Sequence, residues 1–203
     1  MIRLEEDGAL WVVTLDRPDK ANSLTPDMLR DLADIAERAR GGAKVFVLTG
    51  EGRVFSAGAD IDAARAGLAT DPVWERLSGA IAALPCLTIA ALNGTLAGGA
   101  FGMALACDLR ISVPEAKFFY PVMSLGFLPQ PSDPGRLVRL VGPARARLIL
   151  MAGAKLSAEE ALAAGLIDRI VPRENLKLVV DDLAAASLGA TPAHIAAIKA
   201  MTG

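Results

Sequence analysis

Histidine and cysteine are scarce in this sequence, which contains only His194, Cys86 and Cys107 of these types. They cannot supply the Cys/His cluster of a zinc site, and one histidine with no matching Ser and Asp suggests no catalytic triad. Both cysteines lie in apolar stretches, where buried thiols fit a reducing cytoplasm better than a disulfide framework. We therefore expect a cytoplasmic protein without a metal, in which His194 is a surface residue.

An excess of charge and a long apolar helix are lacking too. The 21 Lys and Arg residues nearly balance 23 Asp and Glu residues, and no basic block indicates a nucleic-acid partner. Residues 1–7 are acidic and lack the apolar core of a signal peptide. The uncharged run 77–107 is cut by Pro85, Asn93-Gly94 and Gly98-Gly99 into pieces shorter than the ~20 residues of a spanning helix. We expect no membrane partner.

Segments typical of strands alternate with segments typical of helices, which predicts an α/β fold with mainly parallel strands. The length of 203 residues predicts one domain, with a core over about 1–185 and a short C-terminal helical segment over 186–203. The predicted strands are 9–15, 44–50, 87–92, 109–113, 116–119 and 167–171. The predicted helices begin near 26, 60, 71, 98, 143, 157 and 176.

Two glycine-containing loops follow the apolar strands 44–50 and 87–92. Residues 50–60 and 93–102 each pass through small residues into a helix. Glycines at a helix start leave backbone N–H groups bare, and ligands of α/β sheets gather beyond the carboxyl ends of the strands. Two such loops could polarise one carbonyl oxygen. The alternative is that the glycines serve only tight turns and packing.

An ordered set of motifs resembles the crotonase superfamily, the enoyl-CoA hydratase/isomerase family, over about residues 1–200. The motifs are Leu15-Asp16-Arg17-Pro18 with Asn22-Ser23-Leu24, Phe55-Ser56-Ala57-Gly58-Ala59-Asp60-Ile61, residues 89–108, Pro121 with Leu125-Gly126, Leu140-Val141-Gly142 and residues 161–171. The resemblance implies a spiral of ββα units with surrounding helices and a homo-oligomer, a trimer or hexamer. It also implies an acyl-CoA thioester as ligand, with coenzyme A arriving as part of the substrate and no permanently bound cofactor.

The resemblance also implies site residues. The backbone N–H groups of Ala57 and Gly99 would form an oxyanion hole around the thioester carbonyl. Contacts with CoA would come from Lys20, Ser23, Ala57, Gly58, Ala59, Asp60, Ile61, Leu96, Gly98, Gly99 and Lys199. For Lys199 the alternative is a solvated lysine on a helix face.

The sequence departs from the family at two positions. Where family hydratases carry two glutamates, this chain has Gly102 and Val122, and neither side chain can transfer a proton. The nearest candidates for proton transfer are Asp133 and Tyr120, whose alternative roles are a helix N-cap and a packed ring. Asp133 belongs to residues 127–135, of which four could face the acyl group, although three prolines are also typical of a stiff connection. We also expect a C-terminal helical region shorter than that of typical members.

Two functions remain open. In the first, the protein is an enzyme of acyl-CoA metabolism, a lyase or isomerase that stabilises a thioester enolate and uses an atypical proton-transfer group. In the second, it is an acyl-CoA-binding or oligomeric partner protein that kept the scaffold without the chemistry. The two glycine-containing loops favour the enzyme, whereas Gly102 and Val122 favour the binding protein.

Overall fold

The computed structural model describes residues 1–202 and has ten strands and nine α-helices in this range. The strands are β1 (Ile2–Asp7), β2 (Leu10–Leu15), β3 (Val45–Gly50), β4 (Val54–Ser56), β5 (Leu87–Leu92), β6 (Thr95–Ala97), β7 (Leu109–Ser112), β8 (Lys117–Phe119), β9 (Leu156–Ser157) and β10 (Arg169–Ile170). The helices are α1 (Pro26–Ala39), α2 (Ile61–Arg65), α3 (Val73–Ala82), α4 (Phe101–Leu105), α5 (Val122–Leu125), α6 (Asp133–Leu150), α7 (Ala158–Ala164), α8 (Leu176–Gly189) and α9 (Pro192–Thr202).

The strands form two sheets. The larger sheet has the order β1-β2-β3-β5-β7-β10, with all pairs parallel except β1 and β2. The smaller sheet has the order β4-β6-β8-β9. Chain order alternates between the sheets, so that β3-β4-α2, β5-β6-α4 and β7-β8-α5 are three successive ββα units. The predicted α/β spiral of ββα units with surrounding helices is confirmed.

Helix α1 shows how local sequence signals define an element. The Thr25 side chain accepts a hydrogen bond from the backbone N–H of Met28, and Pro26 occupies the first helical position, where its missing N–H costs nothing. Leu29 and Leu32 lie on the buried face of the helix. These are the start and the apolar spacing that the sequence predicts.

Helix α6 differs from the prediction. It begins at Asp133, inside the segment expected to be a stiff connection, because a proline in the first turn is compatible with a helix. The backbone at Gly142 is non-helical, with φ 75° and ψ 166°, and the helical run that resumes at Pro143 is the predicted one. This early start brings residue 133 towards the interior of the molecule, where it is buried.

Two buried asparagines hold the turn between β3 and β4. Asn22 donates hydrogen bonds to the carbonyl oxygens of Glu51 and Val54, at 2.9 and 2.8 Å. Asn93 accepts one from the backbone N–H of Gly50 at 3.0 Å. A Cβ on Gly50 would lie 2.9 Å from both asparagine side chains, so only glycine fits between them. These bonds set the path of the chain into residues 56–60.

The C-terminal part of the described chain is helical. The predicted terminal segment, 186–203, starts inside α8 and continues through α9, and its last residue, Gly203, lies outside the described residues. Within residues 1–202, no helix combines the length and the apolar character that crossing a membrane requires.

Candidate active site

A cavity of about 550 Å³ lies where the loop after β4 meets the glycines after β6. Its third wall is formed by residues 120–130, and most of its lining is apolar. The lining residues are Ala57, Ala59, Ile61, Ala64, Arg65, Ala69, Trp74, Gly98, Gly99, Tyr120, Pro121, Val122, Leu125, Phe127, Leu128 and Gln130. An apolar concave site with a few polar groups is typical of small-molecule binding.

Gly58 allows the two glycine-containing loops to approach each other. Its backbone has φ +90°, and a Cβ there would lie 2.9 Å from the carbonyl oxygen of Ala97 and 3.2 Å from the Cα of Gly98. Both facts favour glycine, because L-residues rarely adopt this φ and no side chain fits. The same Cβ position lies 3.4 Å from the backbone nitrogen of Gly99. The loops therefore meet within contact distance at the cavity wall.

The backbone hydrogen bonds show which amide N–H groups of these loops are free to bind a ligand. The N–H of Ala57 donates to the carbonyl oxygen of Ala21 at 3.0 Å, and that of Asp60 donates to Leu24 at 2.8 Å. Within residues 1–202, the N–H of Ala59 between them has no hydrogen-bond acceptor, and neither has that of Gly99. The N–H of Ala57, predicted as an oxyanion-hole donor, is thus already engaged in a backbone hydrogen bond, whereas the amide of Ala59 is free.

Around this loop the structure brings together several of the residues predicted to contact CoA. Arg17 donates to a carboxylate oxygen of Asp60 at 2.9 Å and to the carbonyl and hydroxyl oxygens of Ser23. The other Asp60 oxygen caps α2 by accepting from the N–H groups of Asp62 and Ala63. The Arg17 hydrogen bond, and then the Ala63 N–H, hold the pKa of Asp60 below its usual value.

The remaining residues predicted to contact CoA lie in different surroundings. Ile61 is 68% exposed at the cavity rim, and Lys20 is exposed at the end of a short 3-10 helix over Pro18–Lys20. Gly98 lines the cavity, whereas the Leu96 side chain is buried in the core.

Lys199 lies apart from the cavity. Its Nζ donates to a carboxylate oxygen of Asp108 at 2.8 Å and to the carbonyl oxygen of Cys86 at 2.9 Å. It lines a separate groove, between α8, α9 and the start of β5, together with the exposed His194. The structure therefore does not bring Lys199 to the loop that holds the other predicted CoA contacts.

Tyr120 and Asp133 form a buried hydrogen-bonded pair. The Tyr120 hydroxyl donates to Oδ2 of Asp133 at 2.9 Å and accepts from the backbone N–H of Gln130 at 3.4 Å. The Tyr120 ring stacks on Phe101 with centroids 5.4 Å apart. Asp133 is only 1% exposed, and its Oδ1 has no hydrogen-bond partner within residues 1–202. Asp133 is the first residue of α6 and makes no cap; the N-cap is Ser132.

Burial changes the acidity of both groups. It raises the pKa of Asp133 to about 7, although hydrogen bonding from Tyr120 and the charge of Arg136 oppose the rise. Burial and the neighbouring Asp133 carboxylate also raise the pKa of Tyr120 above its usual value. A carboxyl group with a pKa near neutrality can both accept and release a proton under physiological conditions.

The two positions without glutamate differ in their surroundings. Val122 lines the cavity, whereas Gly102 is buried in α4. A Cβ on Gly102 would lie 2.9 Å from Oδ1 of Asp133. The space towards which a side chain at 102 would project therefore contains a carboxylate that belongs to another helix.

Trp74 forms part of the cavity wall, and the sequence did not predict this position for it. Its indole N–H donates to the carbonyl oxygen of Leu68 at 2.7 Å, and its ring lies 3.1 Å from where a Cβ on Gly99 would be. The glycine pair was a signal that something packs closely there, but periodicity could not identify a tryptophan from α3 as the neighbour.

Comparison with known proteins identifies the family of this chain. The family model for enoyl-CoA hydratase/isomerase matches residues 5–202. The chain is 40% identical over 176 residues to a protein of Rhodobacter capsulatus named probable enoyl-CoA hydratase, which covers 84% of this chain and 68% of that protein. It is 32% identical over 193 residues to the short-chain-enoyl-CoA hydratase of Clostridium acetobutylicum, covering 89% and 72%.

Solved structures show the same relationship. An enoyl-CoA hydratase from Bacillus anthracis superposes with a TM-score of 0.90 at 29% identity and covers 98% of this chain and 80% of that one. A protein of Thermobifida fusca solved in complex with CoA gives a TM-score of 0.89 at 30% identity, covering 99% and 83%. From the family match, the relatives and the shared fold together, this chain belongs to the enoyl-CoA hydratase/isomerase family of the crotonase superfamily.

Proposed function

We propose that this protein binds an acyl-CoA thioester in the apolar cavity and stabilises its enolate through the backbone N–H groups of Ala59 and Gly99. The observation that carries the proposal is that two amides without an acceptor, within residues 1–202, line one cavity from two loops in contact. Such preorganised donors hold the negative charge that develops on the thioester oxygen. Loss of one donor typically costs about 3–4 kcal/mol of transition-state stabilisation.

The loop over residues 57–61 is the proposed contact for the CoA part of the substrate. It packs against β6 and the glycines after it, and Arg17 ties Asp60 to Ser23 beside it. The exposed Lys20 supplies a positive charge for the CoA phosphates. The Thermobifida fusca structure with bound CoA, which superposes over nearly the whole of this chain, supports a CoA thioester as the ligand.

The proposed chemistry is a lyase or isomerase reaction that passes through the enolate, rather than ordinary hydration. Hydration requires positioned acid and base groups for both the water and the α-carbon. Gly102 and Val122 cannot provide them. Isomerisation, decarboxylation and retro-aldol cleavage need enolate stabilisation with fewer protein groups, which matches the free amides.

A non-catalytic acyl-CoA-binding protein is the second candidate function. The replacement of the family's acid/base side chain at the cavity wall by the apolar Val122 favours it. The two functions share the ligand and the loop, and they differ in whether the bound thioester reacts.

Calorimetric titration with crotonyl-CoA, with free CoA as a control, tests both. Saturable heat followed by sustained heat flow supports the enzyme, and the flow should disappear in Gly99→Pro, which lacks the donor N–H. Gly99→Ala keeps that N–H and is the matched control. Saturable heat without sustained flow for crotonyl-CoA and for a β,γ-unsaturated isomer supports the binding protein. Absence of heat at protein concentrations suited to micromolar affinity would contradict the CoA-thioester proposal altogether.

A further inference from the structure

We propose that Tyr120 and Asp133 form a proton relay that replaces the carboxylate which family hydratases carry at the position of Gly102. In this relay the Tyr120 hydroxyl accepts a proton from the substrate, and Asp133 accepts the original hydroxyl proton of Tyr120. Both transfers are reversible. The inference rests on the proposed binding of an acyl-CoA thioester in the cavity. It adds the proton-transfer group and the class of reaction.

Asp133 of α6 occupies the space that a side chain at position 102 of α4 would need. Oδ1 of Asp133, from α6, lies 2.9 Å from where a Cβ on Gly102 in α4 would be. This oxygen is buried and has no hydrogen-bond partner within residues 1–202. A buried carboxylate oxygen without a partner costs free energy, so its presence calls for a role. Helix α6 thus places a carboxylate beside position 102, where family hydratases carry one on the helix of position 102 itself.

Few side chains that line the cavity can transfer a proton. Among the lining side chains of residues 1–202, only Tyr120 and Arg65 are titratable, and a guanidinium does not release its proton in proteins. Tyr120 is therefore the one lining group that can pass on a proton. Its hydroxyl is oriented by Asp133 on one side and the N–H of Gln130 on the other, and its ring is held by Phe101.

The proton transfer balances without any other reactant. The C–H bond at the α- or γ-carbon of the thioester breaks, and its electron pair moves into the enolate, whose oxygen accepts from Ala59 and Gly99. The proton goes to the Tyr120 oxygen while the original hydroxyl proton passes to Oδ2 of Asp133. The reverse steps return a proton to the same or to the other carbon.

A relay in which one carboxylate accepts the proton fits reactions that remove and return one proton. These are α-proton exchange and the shift of a double bond between β,γ- and α,β-unsaturated acyl-CoA. Addition of water would need a second group to activate the water, and Val122 occupies the position where a family hydratase has one. The relay therefore favours an isomerase.

The charged surroundings of Asp133 are compatible with this exchange. Glu75 of α3 opposes ionisation of Asp133, Arg136 of α6 favours it, and α4 carries no charged side chain. Burial is the larger influence, and the resulting pKa of about 7 makes the carboxyl group a proton acceptor and a proton donor in turn near neutral pH.

Deuterium exchange at the α-carbon of butyryl-CoA in D₂O, followed by NMR, tests the relay. Exchange by the native protein should increase with pH through about 7. Tyr120→Phe keeps the ring packing, and Asp133→Asn keeps the side-chain shape. Each should slow exchange by about 100-fold or more while leaving the butyryl-CoA dissociation constant within about threefold. Asp133→Glu, which keeps the carboxyl group, should retain part of the exchange.

The outcomes separate the two proposals. Binding of butyryl-CoA by the native protein without exchange overturns the relay and leaves the CoA site. Exchange that persists in both Tyr120→Phe and Asp133→Asn also overturns the relay, although it supports enolate formation. Absence of butyryl-CoA binding overturns the proposed function and the relay with it. Because Tyr120→Phe removes only an oxygen atom, misfolding of Asp133→Asn would still leave a decisive variant.

Discussion

Oδ1 of Asp133 lies 2.9 Å from the place that a Cβ on Gly102 would occupy, so each residue restricts the other. A side chain at 102 would displace the carboxylate, and the carboxylate in its present position leaves no room for a Cβ at 102. The two residues are 31 positions apart in sequence and meet because α6 packs on α4. The absence of glutamate at 102 is therefore linked to the presence of aspartate at 133.

Because of this restriction, the effect of Gly102→Ala on the free energy of unfolding should change sign when Asp133 is replaced as well. Gly102→Ala should destabilise the native chain by about 1 kcal/mol or more, because the new Cβ overlaps a buried side chain. In an Asp133→Ala background the same change should stabilise by about 0.5–1 kcal/mol, since alanine favours a helix more than glycine does. Urea unfolding of the four proteins measures both values. Equal effects in the two backgrounds would show that the residues do not interact.

The raised pKa of Asp133 predicts a pH-dependent cost of burying it. Its pKa lies near 7 in the folded protein against 3.8 in the absence of burial, so the fold favours the protonated form. The stabilising contribution of the neutral group is complete below about pH 4 and is lost as the pH rises through about 7. Asp133→Asn should therefore stabilise the protein at pH 8 by up to about 4 kcal/mol, and much less at pH 4.

Denaturant unfolding of native protein and Asp133→Asn at both pH values checks this expectation. Asp60→Asn is a control with the opposite sign, because the Arg17 hydrogen bond lowers the pKa of Asp60. A stability difference for Asp133→Asn that does not change with pH would contradict burial of an ionisable carboxylate.

The free amide of Gly99 predicts a spectroscopic change in the bound thioester. Hydrogen bonding from two N–H groups weakens the carbonyl bond, so the C=O stretching frequency of bound crotonyl-CoA should fall below that of free crotonyl-CoA. Gly99→Pro should reduce this shift and lower any turnover by about 100-fold or more. Gly99→Ala places a Cβ at the same 3.1 Å from Trp74 but keeps the N–H, so its shift should remain. Loss of the shift in both variants would implicate Trp74 instead.

The two lysines predicted to contact CoA should behave differently. Lys20→Met should weaken CoA binding by about threefold at low salt and less at high salt, as expected of an exposed charge near a phosphate. Lys199→Met should leave the CoA dissociation constant unchanged and should instead destabilise the fold by about 1 kcal/mol, because Lys199 pairs with Asp108. Calorimetry with CoA and thermal unfolding of both variants give the comparison. A tenfold weaker CoA complex for Lys199→Met would contradict the position of Lys199 in the structure.

Local signals were enough to predict α1 and the capped helix α7. Thr25-Pro26 starts the first, and the Ser157–Glu160 capping box starts the second, both with their bonds formed in the structure. Strand β1 had no such signal, because its residues are mostly exposed and charged, and its position depends on pairing with β2. The first half of α6 was missed because Pro134, which follows Pro129 and Pro131, resembles part of a loop until it is seen as the second residue of a helix.

The choice between Ala57 and Ala59 shows what the sequence could not decide. Both amides belong to one short loop of small residues, and the motif marks the loop as a whole. The N–H of Ala57 is engaged by Ala21, in a turn where Ala21 and Asn22 have φ of 51° and 52°. That partner lies 36 residues earlier in the chain, so only the folded structure shows which donor is left. The contact of Asp133 with Gly102 is long-range in the same way.

The hydrogen bonds by which Asn22 and Asn93 hold the turn between β3 and β4 also affect the chemical degradation of this protein. An Asn-Gly sequence such as Asn93-Gly94 deamidates readily in a flexible chain, because the next backbone nitrogen attacks the side-chain carbonyl carbon to form a succinimide. Here the Asn93 side chain is 7% exposed and bonded to Gly50 and Gly52 on both its atoms. Deamidation is thus confined to molecules in which this turn has opened. The acidic form that accumulates on storage would record how often the turn between β3 and β4 opens.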